Sequence, residues 1–185
     1  DKGTTVTVSI ARPRATGDEK NLLVTDAPAS KIPRAREALK PGDKDRLVGL
    51  KVLLAEDNEL NAEIAKELLA DAGLEVDWAE NGEQACELFE DSEPRAYDVV
   101  LMDIQMPIMN GYEAARTIRS LEREDAATVP IIAMSANAFM EDVEESLRCG
   151  MNAHLSKPID MAQVLATISE QVEHARNGDS GGESA

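Results

Sequence analysis

The sequence predicts an α/β fold of five strand–helix units, (βα)5, wound into one parallel sheet with helices on both faces. Three observations carry that expectation. Short runs rich in Val, Leu and Ile alternate with helix-period stripes from Leu50 onward. The strand runs are continuously apolar, as in strands covered on both sides. The connections are short, which suits right-handed crossovers between parallel strands.

In chain order, strands are expected at Val52–Ala55, Val76–Ala79, Tyr97–Met102, Ile131–Ser135 and Ala153–Ser156. The helical stripes between them are Leu60, Ile64 and Leu68; Ala85, Leu88 and Phe89; Ala114, Ile118 and Leu121; and Met140, Val143 and Leu147. A last stripe holds Met161, Val164, Leu165, Ile168 and Val172. All are read as faces turned to the core. Gly73 and Gly150 stand where helices stop, and Asp160 with Gln163 resembles a capping box. The flavodoxin-like, doubly wound strand order 2-1-3-4-5 fits this alternation and sets strands one and three side by side at the switch point.

The chain of 185 residues suffices for one core of about 100–150 residues with extensions. Its net charge of −17 argues against a nucleic-acid partner and suits a metal site or a cationic one. The charge is uneven. Residues 1–50 hold ten Lys/Arg and seven Asp/Glu, whereas 51–185 hold nine and twenty-nine. Residues 1–10 are read as a remnant strand through "TVTVSI", 11–49 as a proline-punctuated linker with a helical turn or two at Arg34–Leu39, 50–174 as the domain, and 175–185 as a flexible tail. Beginning at Asp1 without Met, the chain reads as a fragment. Cys86 and Cys149 stand in no ligand spacing and, like Trp78, read as packing residues in a reducing, cytoplasmic setting. No run approaches the ~20 apolar residues of a membrane span, so no direct membrane contact is expected.

The chemistry gathers at one sheet edge. "VVLMDIQMP" drives a buried strand to Asp103 and then turns; the first strand ends in Glu56 and Asp57, the fourth in Ser135, and the fifth leads to Lys157. Taken singly, these groups read as a loop cap, a helix N-terminal acid pair worth ~0.3–1 kcal/mol per acid, a strand end and a solvated charge. Together they form a cluster that needs positive charge, from Lys157 and a divalent ion. Carboxylates, a carbonyl and water suit Mg²⁺, and one carboxylate can then accept a phosphoryl group. Asp103, on the central strand, is best placed for that.

"KVLLAEDN", "VVLMDIQMPIMNGYEA", "IIAMSANA" and "GMNAHLSKPI" together resemble the receiver domain of two-component response regulators, over about residues 50–174. The resemblance implies Asp103 as phospho-acceptor and Lys157 and Ser135 as groups that meet the phosphoryl. It implies Mg²⁺ held by Asp57, Asp103 and the Gln105 backbone carbonyl, with Glu56 acting through water. Ser135 and His154 become switch residues, Gln105 and Asn137 tuners of phosphoryl lifetime, and Lys157–Pro158 a site where a cis peptide is common. His154 stands where receivers often carry Tyr or Phe. Strand alternation sets it opposite Leu155, and it is read as facing the surface of the fourth and fifth helices, where acids favour a charged ring that resists turning inward.

"GMNAHLSKPI" with "MSANAF" is similar to receivers inside hybrid sensor histidine kinases, and "DKGTTVTVSI" to the last strand of a kinase ATP-binding domain. The implied partner is a phosphohistidine, on a histidine kinase dimerisation domain or a histidine phosphotransfer protein, seated near Leu60, Asn61 and Ile64. The parent chain would be a hybrid kinase, anchored at a membrane or free. With no ATP-binding glycine box and no phospho-accepting histidine motif, this stretch is expected to catalyse only phosphorylation and dephosphorylation of its own aspartate. His174 takes no catalytic role. Two rivals stay open: a pseudo-receiver that binds partners without phosphorylation, and a Mg²⁺-dependent phosphatase with an aspartate nucleophile. The latter generally needs an acid two residues past the nucleophile, where this chain has Gln105.

Overall fold

The structure is a computed structural model that describes residues 46–136 and 140–179. The expected strand at residues 5–10, the helical turn at 34–39 and most of the linker lie outside the described residues. The elements run β1 (Lys51–Ala55), α1 (Glu59–Asp71), β2 (Glu75–Ala79), α2 (Gly82–Asp91), β3 (Val99–Asp103), α3 (Gly111–Ser120), β4 (Ile131–Ser135), α4 (Met140–Arg148), β5 (Ala153–Ser156) and α5 (Met161–Asp179). All four strand pairings are parallel, and the sheet order is β2-β1-β3-β4-β5.

The central strands β3 and β4 are buried at every position, which is why they read as unbroken apolar runs. One face of the sheet, through Leu53, Val100, Met102, Ile131 and Ala133, packs with Phe89 of α2 and Ile118 of α3. The other, through Val52, Leu54, Leu101, Ile132 and Leu155, packs with Leu69 of α1 and with Val164 and Ile168 of α5. Polar groups are thereby confined to the strand ends.

Asparagines start three of the helices. Asn58, Asn81 and Asn110 each accept from the backbone N–H three residues on, and Glu113 returns the bond to the Asn110 N–H. Asp160 accepts from the Ala162 N–H at the start of α5. Gly73 and Gly150 follow α1 and α4 with φ of 91° and 85°, a left-handed backbone that glycine adopts without a Cβ penalty.

Two expectations change here. The stripes Leu60, Ile64 and Leu68 of α1 and Met140 and Leu147 of α4 are exposed, and the sheet instead receives Ala62 and Leu69 from α1 and the 0 % exposed Ser146 from α4. Amphipathic period alone does not say which of two apolar faces meets the sheet. The domain also reaches beyond residues 50–174 at both ends. Leu47, assigned to the linker, is fully buried among Leu50, Leu74 and Val172, and Arg46 pairs with Glu173. The last helix continues to Asp179, through the first residues read as tail.

At the end of the sheet remote from Asp103, Arg123 lies over the Phe89 ring, donates to the carbonyls of Glu90, Ser92 and Glu93, and pairs with buried Asp125 at 2.7 Å. Burial pushes the Asp125 carboxyl up, but hydrogen bonds from Arg123 and the Arg95 N–H outweigh it and hold it below the usual range. That stabilisation is therefore complete above about pH 4, and it is lost as pH falls through the lowered native value.

Leu47→Ala should lower stability by about 2–4 kcal/mol through the cavity it leaves. Val48→Ala, at a 66 % exposed neighbour, should stay within about 0.5 kcal/mol. Urea unfolding of both variants measures the difference; equal effects would remove Leu47 from the core.

Candidate functional site

Four chain segments end at the C-terminal edge of the sheet, where open α/β folds bind ligands. β3 ends on Asp103, β1 leads into Glu56 and Asp57, β4 ends on Ser135, and β5 leads to Lys157. Asp103 and Glu56 are 4 % and 3 % exposed, whereas Asp57 is exposed. One carboxylate oxygen from each of the three lies within 4.8 Å of the others.

Lys157 holds the buried pair together. Its Nζ donates to Asp103 Oδ2 at 2.6 Å and to Glu56 Oε2 at 2.7 Å. Asp103 Oδ1 accepts from the Gln105 N–H at 3.1 Å, and Glu56 Oε1 from Asn61 Nδ2 at 2.9 Å. Burial pushes the Asp103 carboxyl up, against the pull of Lys157 and the Gln105 N–H. Burial likewise opposes the Lys157 charge, but hydrogen bonds to Asp103 and Glu56 outweigh it and hold the ammonium above its ordinary range. Three carboxylates against one ammonium leave an excess of negative charge, and an all-oxygen donor set of this kind suits a hard divalent cation.

The loop after Asp103 is built for close approach. A Cβ on Gly111 would fall 2.2 Å from the Asp103 carbonyl oxygen, so only glycine lets the start of α3 lie against the strand end. Ile108, in the same loop, has φ of 69°, unusual for a β-branched residue, and is 76 % exposed. The Lys157–Pro158 peptide is cis. A cleft of about 300 Å³ adjoins the site between α1 and the start of α5, lined by Ile64, Leu68, Met161 and Val164 together with Glu56 and Lys157.

Of the residues singled out in the sequence, Glu56, Asp57, Asp103 and Lys157 come together. Ser135 ends the neighbouring strand, one residue past the Asp103 register partner Met134, and its hydroxyl lies 2.8 Å from His154 Nε2. Gln105 joins through its backbone N–H. Asn137 lies outside the described residues.

His154 lies across the sheet from Leu155, and its ring sits between Ser135 and Ser146, a fully buried serine of α4. Two contributors were missed. Trp78 is more than packing: its Nε1 donates to the Glu56 carbonyl at 2.9 Å. Asn61, read as part of a docking surface, also orients Glu56. The Trp78 bond has no sequence signal, because β2 and β1 become neighbours only in the sheet; the Asn61 bond spans five residues and depends on how the β1–α1 turn folds back.

A sequence profile described as the response regulator receiver domain matches residues 52–169. Hybrid signal transduction histidine kinase I of Dictyostelium discoideum is 37% identical over 129 residues, covering 69% of this chain and 7% of that protein. Histidine kinase 3 of Arabidopsis thaliana is 35% identical over 144 residues, covering 68% and 14%. The chain thus spans a small fraction of the length of these relatives. Among solved structures, the receiver domain of sensor histidine kinase PA1611 from Pseudomonas aeruginosa, with a magnesium ion coordinated in its active site cleft, is 36% identical, with a TM-score of 0.61 over 68% of this chain and 99% of that one. The receiver domain of Ssk1 from Saccharomyces cerevisiae, crystallised with the histidine phosphotransfer protein Ypd1, is 29% identical, with a TM-score of 0.61 over 67% and 89%.

Lys157→Ala should raise the Asp103 carboxyl further, because burial would then act without its counter-charge. The titration of the Asp103 side-chain carbon by NMR measures this; an unmoved midpoint would mean that Lys157 does not set the charge of Asp103.

Proposed function

The chain belongs to the response regulator receiver domain family, and from that premise we propose that it accepts a phosphoryl group from a phosphohistidine onto Asp103. The observation that carries this reading is a buried carboxylate at the switch-point strand end, with Lys157 bonded to one oxygen and the Gln105 N–H to the other. A carboxylate oxygen of Asp103 attacks phosphorus, the new O–P bond forms as the N–P bond of the phosphohistidine breaks, and the imidazole leaves. Lys157 and Ser135 meet the charge on the phosphoryl oxygens, a stabilisation that is strong where water is excluded. Glu56 keeps Lys157 in place.

The donor set of Glu56, Asp57 and Asp103 fits Mg²⁺, with the Gln105 carbonyl as the remaining protein ligand. When bound, the ion would neutralise charge on the phosphoryl oxygens and orient them. Magnesium in the cleft of the related Pseudomonas receiver supports this assignment.

The phosphohistidine is inferred to sit on a histidine kinase dimerisation domain or a phosphotransfer protein. Leu60, Ile64 and Ile108 are 65 %, 50 % and 76 % exposed beside the site, apolar surface of the kind that seats a partner helix. The Ssk1–Ypd1 complex and the hybrid kinases among the relatives support such a donor and a parent hybrid kinase. No helix among the described residues is long and apolar enough to cross a membrane. Neither rival has comparable support: a pseudo-receiver would not need the acid–lysine constellation, and Gln105 offers no general acid for phosphatase turnover.

Incubation with acetyl phosphate and Mg²⁺ should add one phosphoryl group to the wild type, cleavable by hydroxylamine, and none to Asp103→Asn. Intact mass measures it; labelling of both proteins would displace Asp103 as acceptor. The single Trp78 reports the metal, since its indole is bonded to Glu56: Mg²⁺ should quench its fluorescence, and Asp57→Ala should weaken the midpoint at least tenfold. Undiminished affinity would remove Asp57 from the ligand set. Leu60→Asp should slow transfer from a phosphotransfer protein at least fivefold while acetyl phosphate labelling persists. Transfer at the wild-type rate would exclude α1 as a docking surface, whereas equal loss of both reactions would mean that the variant misfolds.

A further inference from the structure

Lys157 bonds two of the three carboxylates gathered at the site, Asp103 and Glu56, and Asn61 bonds the second oxygen of Glu56. Asp57 is exposed, and its direction depends on how the main chain is held on either side of it. On the C-terminal side, Asn58 caps α1 and accepts from the Asn61 N–H at 3.0 Å. On the N-terminal side, the peptide that joins Glu56 to Asp57 meets an indole. Trp78 Nε1 donates to the Glu56 carbonyl at 2.9 Å.

The place of that indole follows from the strand register. β1 and β2 pair in parallel from Lys51 with Glu75 to Ala55 with Ala79, and in a parallel pair the N–H and C=O of one residue turn to the same neighbour. The Glu56 N–H still reaches β2, at the Ala79 carbonyl 3.1 Å away. β2 ends at Ala79, and beyond it the Glu80 N–H is bonded to Gln84 Oε1. Where the ladder runs out, the Trp78 side chain supplies a donor to the Glu56 carbonyl. The half-buried ring also meets α1, whose Lys66 Nζ lies 5.6 Å from its centroid, within reach of a cation–π attraction.

We propose that Trp78 is a positioning residue for the divalent cation: through the Glu56 carbonyl it fixes the Glu56–Asp57 peptide, and so the approach of the Asp57 carboxylate. The proposal rests on the reading of Glu56, Asp57 and Asp103 as a Mg²⁺ site. Mg²⁺ demands near-octahedral geometry at short metal–oxygen distances, whereas Ca²⁺ accepts more oxygens in looser arrangements. A peptide free to rotate carries the Asp57 oxygens through a range of positions, and binding then has to order them. Loss of the indole bond therefore disfavours Mg²⁺ more than Ca²⁺. A ring without the N–H fills the same space but leaves the carbonyl without that donor.

The test is titration of the full chain with Mg²⁺ and with Ca²⁺, read by NMR at the amides of Asp57, Asp103 and Gln105. Two changes remove the N–H: Trp78→Phe, and replacement of Trp78 by benzothienylalanine, which keeps the fused rings and carries sulfur where the indole has N–H. Both should weaken Mg²⁺ binding by at least about threefold and lower the ratio of Mg²⁺ to Ca²⁺ affinity. A smaller loss with benzothienylalanine, whatever Trp78→Phe does, would mean that the N–H is not what positions Asp57, and would overturn the proposal. Equal weakening of both ions would also overturn it, leaving Trp78 a support of the fold. Wild-type amides unmoved by Mg²⁺ would overturn the metal reading, and the proposal with it.

Discussion

The bridge from Lys157 to Asp103 and Glu56 is the interaction on which the rest of the site depends. Two carboxylates, each nearly excluded from water, stand at the end of a sheet whose faces are both covered. Burial, and the charge of Glu56 beside it, push the Asp103 carboxyl up. A single ammonium bonded to both carboxylates pulls Asp103 the other way and bridges the pair. It comes from a residue 101 positions from Glu56 and 54 from Asp103, just past the end of β5. The order of the strands is thus a precondition for that bridge.

The same covered sheet explains where the molecule's surface becomes informative. With α2 and α3 on one face and α1 and α5 on the other, apolar side chains that do not turn to the sheet have nowhere to go but solvent. Leu60, Ile64 and Leu68 on α1 are therefore a flank of the site, beside a cleft that Glu56 and Lys157 also line. Met140 and Leu147 on α4 are a second exposed set. The first flanks Asp103 and Glu56, and the second lies on the helix whose Ser146 meets His154, which in turn meets Ser135.

The sequence by itself determined the alternation of strands and helices, because apolar period and turn residues are local properties. Gly73, Gly150 and the Asp160 cap could be read without any neighbour, and the motifs around Asp103 and Lys157 named the principal site residues. The limits of local reading appear at particular positions. Leu47 sits in a polar, proline-bearing stretch, and only the space between α5 and the sheet makes it a core residue. The α1 and α4 stripes have the right period for burial, yet the choice between two apolar faces belongs to the partner surface.

Only the tertiary structure decided the partners of side chains that are far apart in sequence. Trp78 reaches the Glu56 carbonyl because β2 pairs with β1, and His154 meets Ser146 because α4 packs on β5. Composition had set acids around that histidine; packing brought two serine hydroxyls to its ring nitrogens. The physical reason is that hydrogen bonds act over about 3 Å, whereas period, propensity and net charge are sums over segments. A sum can place a residue on a face or at an edge, but it takes folded coordinates to say which atom it meets there.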